Sequence, residues 1–348
     1  MNEPVKRREP LPVIDLLLLN EFSGRRADYV LPEYELETYG HDWSARVKKL
    51  VREGYLQFAE PQDALDFLTI PQLKDILRAN KQKLSGKKAE LITRILENIP
   101  AEKYSESVPK IYLATAIGRR ELEARAFYFE NQKMNYGFTN SEIHALEQIH
   151  APDVILEKLF ARDILKHATS KNFLSLAATL ENYRTYLKKH GRDAEALMTL
   201  LRAIYLRLSG MADANQVLDY QYLSWVFDDS VWRRELDADR TALNLSDDDL
   251  IKKFSQATDS LALPFSYFDR ATVIEIILVR LHGQENLFAR YSSKRKTPST
   301  KSSAYEYYSP ATADEPTEIH VSHKAAASSG CLLPCLIFFV TVLAVVFK

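Results

Sequence analysis

The feature that most constrains the fold is a succession of helix-start signals, each followed by apolar residues at helical spacing. Thr69-Ile-Pro-Gln72 and Thr139-Asn-Ser-Glu142 both have the pattern of a capping box, in which two side chains satisfy free backbone amides at a helix start. Ser246-Asp-Asp-Asp249 opens a further candidate helix. The 348 residues include only 10 glycines, so few loops can be of the glycine-dependent kind that holds a cofactor. These patterns predict a mainly α fold.

The longest helical pattern covers residues 139–291 and predicts a helical domain. Its helices are expected at 153–168, 174–190, 193–208, 246–260 and 270–281. The second and third of these are expected to pair antiparallel through Gly191, with one apolar face on each helix. Those faces consist of Leu180, Tyr183 and Leu187 on one helix and Leu197, Leu200, Leu201 and Ile204 on the other. The pair is similar to the units of tetratricopeptide arrays, although no repeat of about 34 residues is present. Such a domain is a candidate surface for a protein partner.

The regions before this domain are shorter. A helix is expected at 42–53, ending before Gly54. After Pro109 the pattern predicts a short strand, a turn at Gly118, and then a helix or a second strand. The predicted organisation is an N-terminal segment (1–62), a helix–loop–helix module (63–100), a small α/β connector (101–138) and the helical domain.

Residues 292–330 and 331–347 differ from the rest of the chain. The first segment is rich in Ser, Thr, Ala and Pro and predicts a disordered linker. The second is a run of 17 uncharged, mostly apolar residues, long enough to predict a transmembrane helix. The alternative is a buried strand or helix of the globular body. The membrane interpretation makes the protein a single-pass, C-terminally anchored protein.

The charges around the apolar run predict its orientation. Five basic residues precede it and only Lys348 follows, so the positive-inside rule places the body in the cytoplasm. The five are Lys294, Arg295, Lys296, Lys301 and Lys324. Cys331 and Cys335, the two cysteines of the chain, would lie near the cytoplasmic face, either as acylation sites or as ordinary apolar residues.

The stretch LSGKKAELITRIL, residues 84–96, carries the main functional signal. Gly86-Lys87 matches part of a phosphate-binding nucleotide loop. That loop also needs a glycine at position 81 and a serine or threonine at position 88, but both are lysines here. A predicted helix also precedes the stretch, where a nucleotide loop follows a strand. A nucleotide loop is therefore excluded.

Positive charge is concentrated around this stretch. Residues 68–100 contain seven basic and three acidic residues, a net charge of +4, whereas the whole chain has a net charge of −1. Ser85 is expected to be the N-cap of the second helix, so Lys87 and Lys88 would lie beside free backbone amides. A helix start with two lysines favours anions such as phosphates.

The same region resembles a SAP domain, a helix–loop–helix module of about 35 residues that is usually associated with DNA binding. The resemblance is carried by Leu68-Thr69, Leu73-Lys74, Leu77, Ser85-Gly86-Lys87-Lys88-Ala89-Glu90-Leu91-Ile92, Arg94 and Leu96. Lys81 and Gln82 replace a Gly-Leu pair that is usual in the family's loop, and Leu84 could supply the missing apolar contact. The whole body is more loosely similar to bacterial proteins that join such a module to a helical domain.

The resemblance implies binding to DNA, with a preference for A/T-rich sequences, through contacts with the phosphate backbone. The residues expected to make the contacts are Lys74, Lys83, Ser85, Gly86, Lys87, Lys88 and Arg94. Alternatively, the hairpin is structural or binds protein, and the chain is a membrane-tethered scaffold.

Other candidate sites are better explained by structure. His320 and His323 lack a third metal ligand, and Asp247, Asp248 and Asp249 suit a helix start better than a cation site. An aromatic group is expected to pack in the core instead of stacking on bases; it consists of Tyr220, Tyr222, Trp225, Phe227 and Trp232. No spacing indicates a catalytic arrangement, so a hydrolase with an unrecognised site is the weakest hypothesis. We expect a non-enzymatic protein without a cofactor or metal.

Overall fold

The computed structural model of the protein describes residues 10–228 and 230–298 and is mainly α-helical, as predicted. The helices described are α1 (Val13–Phe22), α2 (Leu36–Tyr39), α3 (Trp43–Arg52), α4 (Pro61–Ala64), α5 (Ile70–Ala79), α6 (Lys88–Asn98), α7 (Ala116–Ala124), α8 (Ala126–Met134), α9 (Asn140–Glu147), α10 (Ile155–Thr169), α11 (Phe173–Lys189), α12 (Asp193–Ser209), α13 (Ser224–Asp228), α14 (Ser230–Ala242), α15 (Asp247–Thr258), α16 (Arg270–Leu281) and α17 (Leu287–Tyr291). Two short strands, β1 (Leu56–Phe58) and β2 (Tyr112–Ala114), pair antiparallel, with Gln57 opposite Leu113.

The chain divides into two compact units, Met1–Leu159 and Phe160–Lys348. The division lies within α10, later in the chain than the start of the helical domain expected at residue 139. The helix–loop–helix module belongs to the first unit, and α11 to α17 belong to the second.

In the first unit, α1 packs its leucines and Phe22 into the core, and Phe22 stacks on Trp43. Asp15 of α1 is fully buried, and its carboxylate accepts hydrogen bonds from Arg46 at 2.9 Å and Lys49 at 3.1 Å, both on α3. Two cations thus compensate the cost of burying this carboxylate. No helix before residue 42 is predicted from the sequence, because an acidic residue within an apolar run does not reveal its partners.

The turn predicted at Gly118 is wrong, since Gly118 lies inside α7. The Gly118 amide donates to the Thr115 hydroxyl, which caps the helix, at 3.1 Å. A Cβ atom at position 118 would lie 2.3 Å from the carbonyl oxygen of Tyr55. This glycine therefore permits close packing of α7 against the chain before β1. The strand before it and a helix after it agree with the sequence.

Helix starts are the elements that the sequence predicts best. The Glu142 carboxylate accepts from the Thr139 amide at 2.9 Å, and the Asp249 carboxylate accepts from the Ser246 hydroxyl at 2.6 Å. Helix α16 has the predicted bounds, and α3 ends before Gly54, whose φ of +79° favours glycine. The capping box predicted at Thr139 and the helix start predicted at Ser246 are therefore both present.

In the second unit, α11 and α12 form the predicted antiparallel pair, joined at Gly191 with a φ of +71°. Leu180 shares a buried cluster with Ala203 and Leu206 of α12. The four α12 residues expected to face α11 also belong to a larger cluster with later helices. Helix α12 is therefore buried on two faces, which a single amphipathic stripe does not describe.

The aromatic group identified in the sequence is mostly part of this core. Tyr220, Phe227 and Trp232 are buried, and the Trp232 indole donates to the Val226 carbonyl at 2.7 Å. Tyr222 and Trp225 are exposed. Core packing is thus confirmed for three of the five residues.

The predicted linker begins too early. Residues Ser292–Lys294 form a helical turn, and the Lys296 amide donates to the Tyr267 carbonyl at 2.8 Å. The remainder of the linker with His320 and His323, the apolar run 331–347, Cys331 and Cys335 lie outside the described residues. Among the helices that the structure describes, none is both long and apolar enough to cross a membrane.

Candidate nucleic-acid interface

Helices α5 and α6 and the loop between them form a small module with its own apolar core. The core consists of Leu65, Leu68, Leu73, Ile76, Leu77, Leu91, Ile95, Ile99 and Tyr104. Leu84 in the loop packs against this core, as the sequence suggested. Most apolar residues of the two helices thus face inward, although Ile70 and Leu96 are exposed. The basic residues lie on the outside and in the loop.

Helix α5 has well-defined ends. At its start, the Gln72 side-chain oxygen accepts from both the Thr69 amide and hydroxyl at 2.9 Å. At its end, the Gln82 amide donates to the Leu77 carbonyl at 2.8 Å, and the Lys81 amide donates to the Arg78 carbonyl at 3.1 Å. These two bonds define a Schellman motif, whose left-handed position is usually a glycine. Lys81 occupies that position with a φ of +54°.

Helix α6 begins at Lys88, and its N-cap is Lys87, two residues after the N-cap expected at Ser85. Glu90 explains why the helix begins later, because its carboxylate accepts a hydrogen bond from the Lys87 amide at 3.3 Å. A Cβ atom at Gly86, which has a φ of +136°, would lie 2.6 Å from that carboxylate. The start of α6 is therefore partly occupied by a negative charge of the protein itself.

Two of the expected contact residues have their polar groups engaged by the protein. The Lys88 ammonium donates to the Asp66 carbonyl at 2.6 Å. One nitrogen of the Arg94 guanidinium donates to the Lys83 carbonyl at 2.8 Å and to the Ser85 carbonyl at 2.9 Å. Arg94 therefore fixes the path of the loop.

The other expected contact residues remain accessible. Lys83, Ser85, Gly86 and Lys87 are exposed and lie together in the loop and at the start of α6. Lys74 is half-buried on α5. Within the described residues, the ammonium groups of Lys74, Lys83 and Lys87 have no hydrogen bond or ion pair.

Sequence reasoning missed Lys81 as a candidate. Its side chain is exposed and has no polar partner in the described part of the chain. Arg78, one turn after Lys74 on α5, is in contrast paired with Asp75. The sequence does contain a signal for Lys81, because a lysine there replaces the glycine that is usual in this loop.

The module is a compact helix–loop–helix with an accessible basic loop, which is a class of structure suited to contacts with phosphate groups. Comparison with known families identifies the module, because residues 68–100 match the SAP domain. The chain thus contains a SAP domain, as the sequence indicated. Comparison with curated proteins gives no match.

A concave surface lies in the second unit. It is a cavity of about 220 Å³ lined by Glu181, Arg184, Arg207, Trp225, Trp232 and Glu235, among others. Arg207 forms two hydrogen bonds with Glu181, at 2.6 and 2.8 Å, and lies over the exposed Trp225 ring. No group of three or more His, Cys, Asp or Glu side chains in residues 10–228 and 230–298 is arranged to hold a metal ion.

Proposed function

We propose that this is a membrane-anchored, non-enzymatic protein whose SAP domain binds DNA through phosphate contacts. The observation that carries the proposal is the group of exposed lysines in the loop and at the start of α6, whose ammonium groups have no polar partner in the part of the chain that the structure describes. Exposed lysines attract the phosphate backbone without specifying sequence. The proposal includes a preference for A/T-rich duplexes, which is supported only by the match to the SAP domain.

The proposal predicts a particular salt dependence. Three to five phosphate contacts correspond to an affinity that falls about 40- to 500-fold between 50 and 200 mM salt. A binding mode dominated by apolar contacts would show little of this dependence.

The test is a salt series with full-length protein in a non-ionic detergent and A/T-rich and G/C-rich duplexes. A Lys83→Glu/Lys87→Glu variant should lose most binding. The matched control is Lys252→Glu/Lys253→Glu on α15, which makes the same change in net charge within the second unit. Equal binding by the two variants, or no salt-dependent binding by the unaltered protein, would contradict the proposal.

The membrane part of the proposal rests on the uncharged run 331–347 and the basic residues before it. Cell fractionation should move the protein from the membrane to the soluble fraction when residues 325–348 are removed. A full-length protein that is already soluble would disprove the anchor.

A membrane-tethered scaffold is the second candidate, and the cavity beside Trp225 favours it. Exposed tryptophan and arginine side chains are frequent centres of protein interfaces, and the helix pair α11–α12 resembles tetratricopeptide units. In-cell crosslinking distinguishes the candidates. The scaffold requires that Trp225→Ala, but not Lys83→Glu/Lys87→Glu, remove the crosslinked species.

A further inference from the structure

The basic residues in and beside the loop between α5 and α6 are of two kinds, which differ in what their charged groups contact. We infer that Lys81 is a further phosphate-contact residue, and that Arg94 is a positioning residue that holds the loop for Lys81, Lys83 and Lys87. This inference rests on the proposed DNA binding and assigns the separate roles within it.

Lys81 is held where a lysine is not conformationally favoured. Its φ of +54° lies in the left-handed region, and both hydrogen bonds of the Schellman motif fix it there. A non-glycine residue in that conformation is a strained position, and strain of this kind occurs preferentially at functional sites.

The charge of Lys81 is available for a ligand. Its exposed ammonium has no hydrogen bond or ion pair within the described residues, and it precedes Lys83 by two positions. A lysine at this position also interacts favourably with the C-terminus of α5. That interaction contributes to helix stability, but it does not change the number of counterions released from DNA, so the two roles are separable by experiment.

The charged group of Arg94, in contrast, contacts the protein itself. One guanidinium nitrogen contacts the Lys83 and Ser85 carbonyls, at 2.8 and 2.9 Å. These carbonyls lie on either side of Leu84, which packs into the domain core. Arg94 and Leu84 together hold the loop from the outside and the inside, so this nitrogen of the guanidinium stabilises the loop conformation.

The experiment measures the slope of log K against log salt for full-length protein and an A/T-rich duplex. Lys81→Asn removes the charge but keeps a residue that tolerates the left-handed conformation. We expect its slope to fall in magnitude by about 0.9, the effect of one phosphate contact. Lys252→Asn on α15 is the control and should leave the slope unchanged.

Arg94→Lys keeps the positive charge but loses the planar guanidinium. If Arg94 positions the loop, this variant should bind at least about 5-fold more weakly at a temperature where it is folded. Restoring affinity should require arginine itself. If Arg94 instead contacts a phosphate through its charge alone, lysine, which binds phosphate as a point charge, should replace it with little loss.

The outcomes separate this inference from the proposed function. Absence of salt-dependent binding by the unaltered protein overturns both. Binding with an unchanged slope for Lys81→Asn overturns the role of Lys81 alone, and unchanged affinity for Arg94→Lys overturns the positioning role alone.

Discussion

The lysines of the SAP-domain loop and two basic residues of α11 in the second unit are used in different ways. In the second unit, Arg184 and Lys188 of α11 contact the Asp239 carboxylate of α14 at 2.9 and 3.0 Å. Asp239 is 1% exposed, and Arg184 also pairs with Glu235 at 2.9 Å. In the SAP domain, Lys81, Lys83 and Lys87 are exposed and have no such partners among the described residues. Burial and partner choice therefore distinguish cations that stabilise the fold from cations free to bind a ligand.

The difference has an energetic consequence. A buried carboxylate between two cations loses its water on folding, and removing its charge leaves the cations without compensation. Three exposed lysines in one loop repel each other weakly and are screened by salt. Substitutions in the two regions should consequently affect different properties, namely stability in the second unit and binding in the SAP domain.

The largest expected effect is that of Asp239→Asn. Breaking the buried ion network should lower the free energy of unfolding of the second unit by about 3–5 kcal/mol, as for other buried ion pairs that lose one partner. Urea denaturation followed by tryptophan fluorescence measures this, since Trp225 and Trp232 report on this unit. DNA affinity should be unaltered where the protein is folded.

Asp193→Asn is the matched control for that substitution. Asp193 also pairs with Lys188, but its side chain is 41% exposed. Exposed ion pairs are worth about 0.2–1 kcal/mol. Equal destabilisation by the two substitutions would show that burial does not distinguish the two carboxylates.

The sequence predicts those features of the two regions that depend on residues close together in the chain. The SAP helices, the capping boxes and α16 depend on residues within three or four positions of each other, so a single sequence contains the information. The roles of the basic residues depend on distant contacts. Arg94 reaches a carbonyl 11 positions away, and Lys88 reaches one 22 positions away.

The same reason explains the two largest errors in the first unit. Gly118 is a glycine because of the Tyr55 carbonyl, more than 60 positions earlier in the chain, and Asp15 is tolerated because of Arg46 and Lys49. A glycine suits both a turn and a close contact, and an acidic residue suits both a loop and a buried ion pair. Only the tertiary fold decides between these alternatives.

Lys81→Gly should change stability and binding in opposite directions. Glycine adopts the left-handed conformation at no steric cost, so relief of strain should raise the free energy of unfolding of the first unit by about 1 kcal/mol. The loss of charge should weaken DNA binding. Denaturation curves and binding isotherms on one preparation measure both. A decrease in stability would show that the lysine contributes more through the α5 C-terminus than it costs in strain.

A smaller effect is expected for Glu90→Gln. The glutamine oxygen can still accept from the Lys87 amide, but the negative charge at the start of α6 is removed. DNA affinity should rise about 2- to 3-fold, the range expected for one exposed charge near a helix start. Glu97→Gln, at the other end of α6, is the control and should change affinity less. Equal effects of the two would indicate that only the net charge of the domain matters.

The smallest effect concerns the pH dependence of stability. It tests how much an ion pair that is accessible to water contributes in the second unit. A hydrogen bond from His282, at 2.9 Å, and the charge of Arg240 lower the pKa of the half-buried Asp247 carboxyl. Because the folded pKa is lower than the unfolded value of about 3.9, the stabilisation is fully present above that value and is lost as pH falls through the folded pKa.

Denaturation at pH 6 and at pH 3 should therefore show a smaller loss of unfolding free energy for Asp247→Asn than for the unaltered protein. We expect a difference below about 0.5 kcal/mol, because the pair is accessible to water. A difference as large as that predicted for Asp239→Asn would mean that partner number, and not burial, sets the contribution of a carboxylate in this protein.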